Sequence, residues 1–212
     1  MTVHELQQAL DRLDDGVLLS GAHRSGDKAF CVLEFSAAVR QKPHSDDPGD
    51  LPDLRQLNDG PWSSDQVRTA HLLPVMAAYW DWGTWTAARQ LATIQRVAIL
   101  TVHRLVATLP GLPDDVRAQC RAAHTLAQAE SAATRAVIAT SAVMAADAAA
   151  RAAWAARSAA RSAADAAALA AVRAAYAAAW AALEAAGRAA ADAVLIAACQ
   201  FWIDAVSTAE GM

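Results

Sequence analysis

The pattern of apolar and polar positions predicts helices from the start of the chain. Thr2 and Glu5 fit a capping box, and apolar residues then follow in steps of three and four. This spacing predicts an amphipathic first helix that ends at the Asp-Asp-Gly sequence of residues 14–16. Its predicted core stripe is Val3, Leu6, Leu10 and Leu13.

The same analysis predicts further helices in the first half of the chain. One covers residues 29–40, and Ser-Ser-Asp-Gln at 63–66 opens another, which Pro74 should kink or interrupt. The clearest helix follows the aromatic segment 79–85 and stops at Pro110. Its predicted core positions are Leu91, Ile94, Ala98, Val102, Leu105 and Leu109.

The second half of the chain is rich in alanine and poor in helix-breaking residues. All seven prolines and seven of the nine glycines lie before residue 114. Alanine favours helix because its side chain loses no entropy there. A single helix over 114–208 would be roughly 140 Å long, so we expect about three antiparallel helices. The candidate breaks lie at capping residues, namely Ser131, Thr140-Ser141 and Ser162.

Large side chains recur in this half at helical spacing. Leu169, Val172, Tyr176, Trp180 and Leu183 mark one face, which Val194 continues. The spacing of about 3.67 residues per turn predicts nearly straight packing, with neighbouring helices close against the alanines. The sequence thus predicts an all-α protein. Short N-terminal helices and loops (1–112) pack on an alanine-rich antiparallel helical bundle (113–212), together forming one unit.

Composition and charge argue against several function classes. The net charge is −4, and with two lysines the chain lacks a basic stripe for nucleic acid. The apolar segment 193–203 is far shorter than the roughly 20 residues that a membrane-spanning helix needs. Three widely spaced cysteines and an N-terminus without an apolar leader predict reduced thiols and a cytoplasmic protein. Phosphate-binding, hydrolase, calcium and dinucleotide motifs are absent from the sequence.

Polar residues typical of functional sites are concentrated between residues 21 and 59. Cys31 and Glu34 lie three residues apart on a predicted helix, His23 precedes it, and His44 and Asp46 follow it. We expect all five to converge at one end of that helix. His23, Cys31, His44 and Asp46 are residue types that hold zinc or another transition metal. Cys31, His44 and Asp46 are also candidates for catalysis by a Cys nucleophile with a His base.

A structural interpretation of this cluster is favoured, because no closely spaced ligand pair such as Cys-x-x-Cys is present. In it, Asp46, Asn58 and Asp59 cap turns and helix N-termini, and Glu34 accepts hydrogen bonds from loop N–H groups. His23 and His44 bridge loops. No cofactor is then expected, with zinc as the alternative. A binding site for a partner or small ligand is the other alternative, formed by His23, Glu34, Asn58 and Asp59.

The motifs in this region resemble those of an uncharacterised family of helical proteins from bacteria, especially actinobacteria, and their phages. They are Gly-Ala-His at 21–23, Cys-Val-Leu-Glu at 31–34, Pro-His-Ser-Asp-Asp-Pro at 43–48 and Leu-Asn-Asp at 57–59. The alanine-rich second half is also similar to that family. The resemblance implies no established activity, although some alanine-rich relatives are labelled immunity proteins by analogy.

Three tryptophans lie close together in the aromatic segment 79–85. Trp80, Trp82 and Trp85 could form a binding hot spot, since Trp is enriched in such places. Clustered Trp is more often the aromatic anchor of a small helical core, which is the favoured interpretation.

These observations predict a non-enzymatic helical module for protein–protein interaction. The resemblance alone adds a role in bacterial or phage conflict. One alternative is a metal- or Cys-dependent enzyme that uses the cluster of His23, Cys31, Glu34, His44 and Asp46. Another is a self-associating scaffold joined through the alanine-rich face. The expected partner is a protein or a second copy, not nucleic acid or membrane.

Overall fold

The computed structural model describes residues 1–13, 16–24, 29–46, 49–108, 112–140 and 188–209. These residues form helices and no strands, and the all-α prediction is confirmed. Two short 3-10 helices, Trp82–Thr84 and Val106–Thr108, accompany the α-helices. The α-helices are α1 (Val3–Leu13), α2 (Val32–Val39), α3 (Arg55–Asn58), α4 (Asp65–Ala78), α5 (Ala87–Arg104), α6 (Asp114–Ala122), α7 (Leu126–Thr140) and α8 (Arg188–Ala209).

Helix α1 begins with the predicted capping box. The Thr2 N–H donates to Glu5 Oε2 at 2.7 Å, and the Glu5 N–H donates to Thr2 Oγ1 at 3.2 Å. The predicted core stripe is half wrong. Leu6 and Leu10 are buried, but Val3 is 41% exposed and Leu13 is 39% exposed, because α1 packs against α4 through its central turn.

Helix α2 begins three residues later than the sequence predicts. The Phe30 carbonyl oxygen accepts a hydrogen bond from the Leu19 N–H at 2.9 Å, which ties residues 29–30 to the preceding loop. Cys31 is therefore the N-cap, and the first helical residue is Val32.

Helix α4 passes through Pro74, so the predicted interruption is wrong. Its start is as predicted, since Ser64 Oγ accepts a hydrogen bond from the Val67 N–H at 3.2 Å. Proline removes one backbone hydrogen bond, but tertiary packing supplies most of the stability of a helix in a protein. The residues on either side of Pro74 are buried in the core, namely Leu72, Leu73, Val75 and Met76.

In the alanine-rich half, the predicted break at Ser131 is wrong, because α7 runs through it. The break lies at residues 123–125, where Thr125 and Gln128 form a capping box. The sequence carries the signal for this break as Thr-x-x-Gln at residues 125–128. Three predictions for this half extend beyond the described ranges: the breaks at Thr140-Ser141 and Ser162, and the face from Leu169 to Leu183. Val194, the predicted continuation of that face, is described and is half-buried against the core.

The described residues form two hydrophobic clusters. The first joins α1, α2, α3, α4, the middle of α5 and α8, and its largest fully buried side chains are Trp202, Tyr79 and Phe35. The second joins the end of α5 to α6 and α7. The first cluster contains residues from both sides of residue 113 because α8 packs against α4 and α5, and the second does so because the end of α5 packs against α6 and α7. The division at that residue stays a prediction.

Candidate functional site

The candidate site is built around the first turn of α2. Cys31 Sγ accepts a hydrogen bond from the Glu34 N–H at 3.5 Å, and the Cys31 N–H donates to Glu34 Oε2 at 2.8 Å. This is a capping box with cysteine in the place of the usual serine or threonine. It folds the Glu34 side chain back over the start of the helix, towards the loop that precedes it.

The Glu34 carboxylate collects donors from that loop. The His23 N–H donates to Glu34 Oε1 at 2.6 Å, and His23 Nδ1 donates to Glu34 Oε2 at 2.8 Å. The side chain of Glu34 is 1% exposed, so these bonds replace the water that it loses on burial. The predicted role of Glu34 as an acceptor for loop N–H groups is confirmed.

The environment of Glu34 lowers its pKa. Burial alone acts to raise the pKa of this carboxyl, because it disfavours the charged form. Hydrogen bonds from the backbone N–H groups of His23 and Cys31, and then from the His23 side chain, act in the opposite direction and outweigh burial. Glu34 is therefore a carboxylate at neutral pH and a weak base, which suits a structural acceptor better than a general base.

His44 ties a second loop to the first. Its Nε2 lies 2.8 Å from the His23 carbonyl oxygen, and it must donate because a carbonyl oxygen can only accept. The same nitrogen is 3.5 Å from Glu34 Oε1. The prediction that His23 and His44 bridge loops is confirmed, and Glu34 lies between the two imidazoles.

Asn58 and Asp59 extend this network to α3. Asn58 Oδ1 accepts a hydrogen bond from the Val32 N–H at 3.2 Å, and Asn58 Nδ2 donates to the Leu19 carbonyl oxygen at 2.8 Å. Asp59 Oδ1 accepts from Asn58 Nδ2 at 2.8 Å and from the Gly21 N–H at 2.7 Å. Their predicted capping of a helix N-terminus and a turn is confirmed.

Asp46 departs from the predicted cluster. Its side chain is exposed, and no hydrogen bond or ion pair joins it to the four other predicted members, all of which are described. The expectation that all five residues converge is met by the other four and not by Asp46, whose side chain is exposed. The capping role expected of Asp46 stays a prediction, because residues 47–48, which follow it directly, lie outside the described ranges.

The predicted metal site depends on whether its His, Cys and Asp donor atoms lie close enough together to bind one ion. Within the described part of the chain, no three His, Cys, Asp or Glu side chains are placed to hold a metal ion. His23 Nδ1 and His44 Nε2 donate hydrogen bonds to oxygen acceptors, so the nitrogens left to coordinate a metal are His23 Nε2 and His44 Nδ1. Metal binding by His23, Cys31, His44 and Asp46 stays a prediction that this arrangement of the described side chains does not favour.

Cys31 has the properties of a structural thiol. It is 3% exposed, and burial raises its pKa to about 12. The thiolate is the nucleophilic form of cysteine, so a thiol that stays protonated at neutral pH reacts slowly. This environment argues against Cys31 as the nucleophile of a Cys–His pair.

We therefore expect Cys31 to resist alkylation in the folded protein. With a pKa of about 12, its thiolate fraction at neutral pH is roughly a thousandfold below that of a free cysteine. Pulse labelling with iodoacetamide, followed by peptide mass spectrometry, measures the rate in native protein and in guanidinium chloride.

Cys199 is the internal control, because burial raises its pKa to about 12 as well. Labelling of native Cys31 as fast as in denaturant, while Cys199 stays protected, would restore it as a candidate nucleophile.

Two of the three tryptophans, Trp82 and Trp85, belong to an aromatic cluster in the core. Trp82 is buried, and Trp80 and Trp85 are half-buried and pack against the first hydrophobic cluster. The Tyr79 ring lies 5.6 Å from the rings of both Trp82 and Trp85. The prediction of an aromatic anchor is confirmed, and a binding role for these residues stays a prediction.

Arg68 and Thr69 of α4 were missed by the sequence analysis. Leu18 donates its N–H to Thr69 Oγ1 at 2.7 Å, and its carbonyl oxygen accepts from Arg68 Nη1 at 3.2 Å. Both side chains are buried, and Arg68 also pairs with Asp65. Arg68 and Thr69 thus bind Leu18 at the start of a loop. Later residues of the same loop, Leu19 and His23, bind Asn58 and Glu34. The sequence signal for the role of Arg68 and Thr69 is the presence of an arginine and a threonine at core-facing positions of an otherwise apolar helix.

Comparison with protein-family models, curated proteins and solved structures gave no match to this chain. The motif resemblance therefore stays a prediction. Among the helices of the described ranges, none combines the length and the apolar character needed to cross a membrane.

Proposed function

We propose that the chain is a non-enzymatic helical module that binds another protein. The observation that supports this most is the state of Glu34, whose carboxylate is buried and accepts hydrogen bonds on both oxygens from this chain itself. A carboxylate engaged in this way fastens loops together and has little capacity left for a substrate. The proposal includes no cofactor and assigns function to exposed helical surface instead.

The outer face of α7, formed by Ala127, Ser131 and Thr134, is the surface that we propose for binding. These residues are exposed and lie at helical spacing, while the opposite side of α7 packs on α5 and α6. Small side chains lose little rotamer entropy when a partner covers them, and they allow a second helix to approach closely. Helix α7 also leads into the most alanine-rich part of the sequence.

Photo-crosslinking in the native host tests this proposal. A photoreactive residue at Ser131 should give an adduct of higher mass, because that position would face the partner. The matched control carries the same residue at Gln8, which is exposed on α1, far from α7 in the sequence. Adducts from position 131 and none from position 8 are expected. No adduct from position 131, with the chain folded and expressed, would contradict the proposal.

The mass of the adduct distinguishes the possible partners. An adduct of two copies of this chain identifies the self-associating scaffold, and light scattering should then show an oligomer that Ser131→Arg weakens. An adduct with a protein of a phage or of a bacterial defence system supports the role in conflict, a role that rests on the motif resemblance alone. Adducts between copies alone count against that role.

The cytoplasm is the location that we propose. All three cysteines are free thiols, which suits a reducing compartment. Fractionation of the native host should recover the chain with cytoplasmic markers, and recovery with secreted protein would contradict this location.

A further inference from the structure

We draw no further inference here: the strongest candidate, the corner between α4 and α5 where Arg40 and Arg89 lie over the half-buried rings of Trp80 and Trp85, carries nothing, because nothing in the structure shows what covers it.

Discussion

Replacing Glu34 with glutamine is expected to lower the free energy of unfolding by about 3 kcal/mol. Glutamine keeps the size of the side chain but removes its charge and brings an NH2 group against the N–H donors of His23 and Cys31. Buried donors that lose a charged acceptor pay their full desolvation cost. Denaturant unfolding followed by circular dichroism measures the loss.

Glu5→Gln is the matched control for this substitution. Glu5 holds the same third position of a capping box at the start of α1, but it is exposed and its partner is Thr2. Water can replace the bond that Glu5 loses, so its effect should be much smaller. Equal effects at the two positions would show that the cluster around Glu34 adds nothing beyond an ordinary helix cap.

The cost of Glu34→Gln should also depend on pH. The pKa of Glu34 is lowered from its ordinary value of 4.5, so the stability that it contributes is fully present above that pH. This contribution is lost as the pH falls through the lowered pKa of the folded state. The difference between wild type and variant should therefore shrink well below pH 4.5. A difference that is constant across this range would contradict the assignment of a buried carboxylate.

Trp202→Ala is expected to cost about 3–5 kcal/mol, the range typical of a buried tryptophan. Trp202 is 1% exposed, and its ring lies 5.3 Å from that of Tyr79 at a T-shaped angle. Removing the indole leaves a cavity where α8 meets α4, in the first hydrophobic cluster. The measurement is again denaturant unfolding, with the slope compared between variants to confirm the same transition.

Two further variants provide the comparison for the stability loss of Trp202→Ala. Gln200→Ala changes an exposed residue of the same helix and should alter stability by less than about 0.5 kcal/mol. Tyr79→Phe removes the hydroxyl that donates to the Trp202 carbonyl oxygen at 2.8 Å, a loss of about 1 kcal/mol. If Trp202→Ala costs no more than Gln200→Ala, α8 does not dock on the N-terminal helices.

Local signals in the sequence predicted the fold class and several helix starts. The capping residue Thr2 and the helix start at residues 63–66 were readable because an N-cap bond joins residues only a few positions apart. Within the site, the acceptor role of Glu34 followed from its residue type and its place beside polar loops. Residue type also predicted the bridging by His23 and His44.

Features that depend on distant packing were not readable in the same way. Val3 and Leu13 fit the helical stripe of α1, but only the position of α4 decides that they stay exposed. Similarly, the sequence predicts Phe30 within α2. The hydrogen bond that ties Phe30 to the preceding loop joins it to Leu19, eleven residues earlier, and a bond over that distance leaves no local signal. Asp46 was expected in the cluster because its loop follows α2 in the sequence, but that position does not determine the exposure of its side chain.

The metal content of purified protein tests the central claim, that the cluster around Glu34 fastens loops and does no chemistry. Elemental analysis of the wild type and of His44→Ala, with a fold check by circular dichroism, is the direct measurement. Our account predicts no stoichiometric metal in either protein. Zinc, iron or manganese bound at one ion per chain, and lost in His44→Ala while the fold is kept, would contradict it.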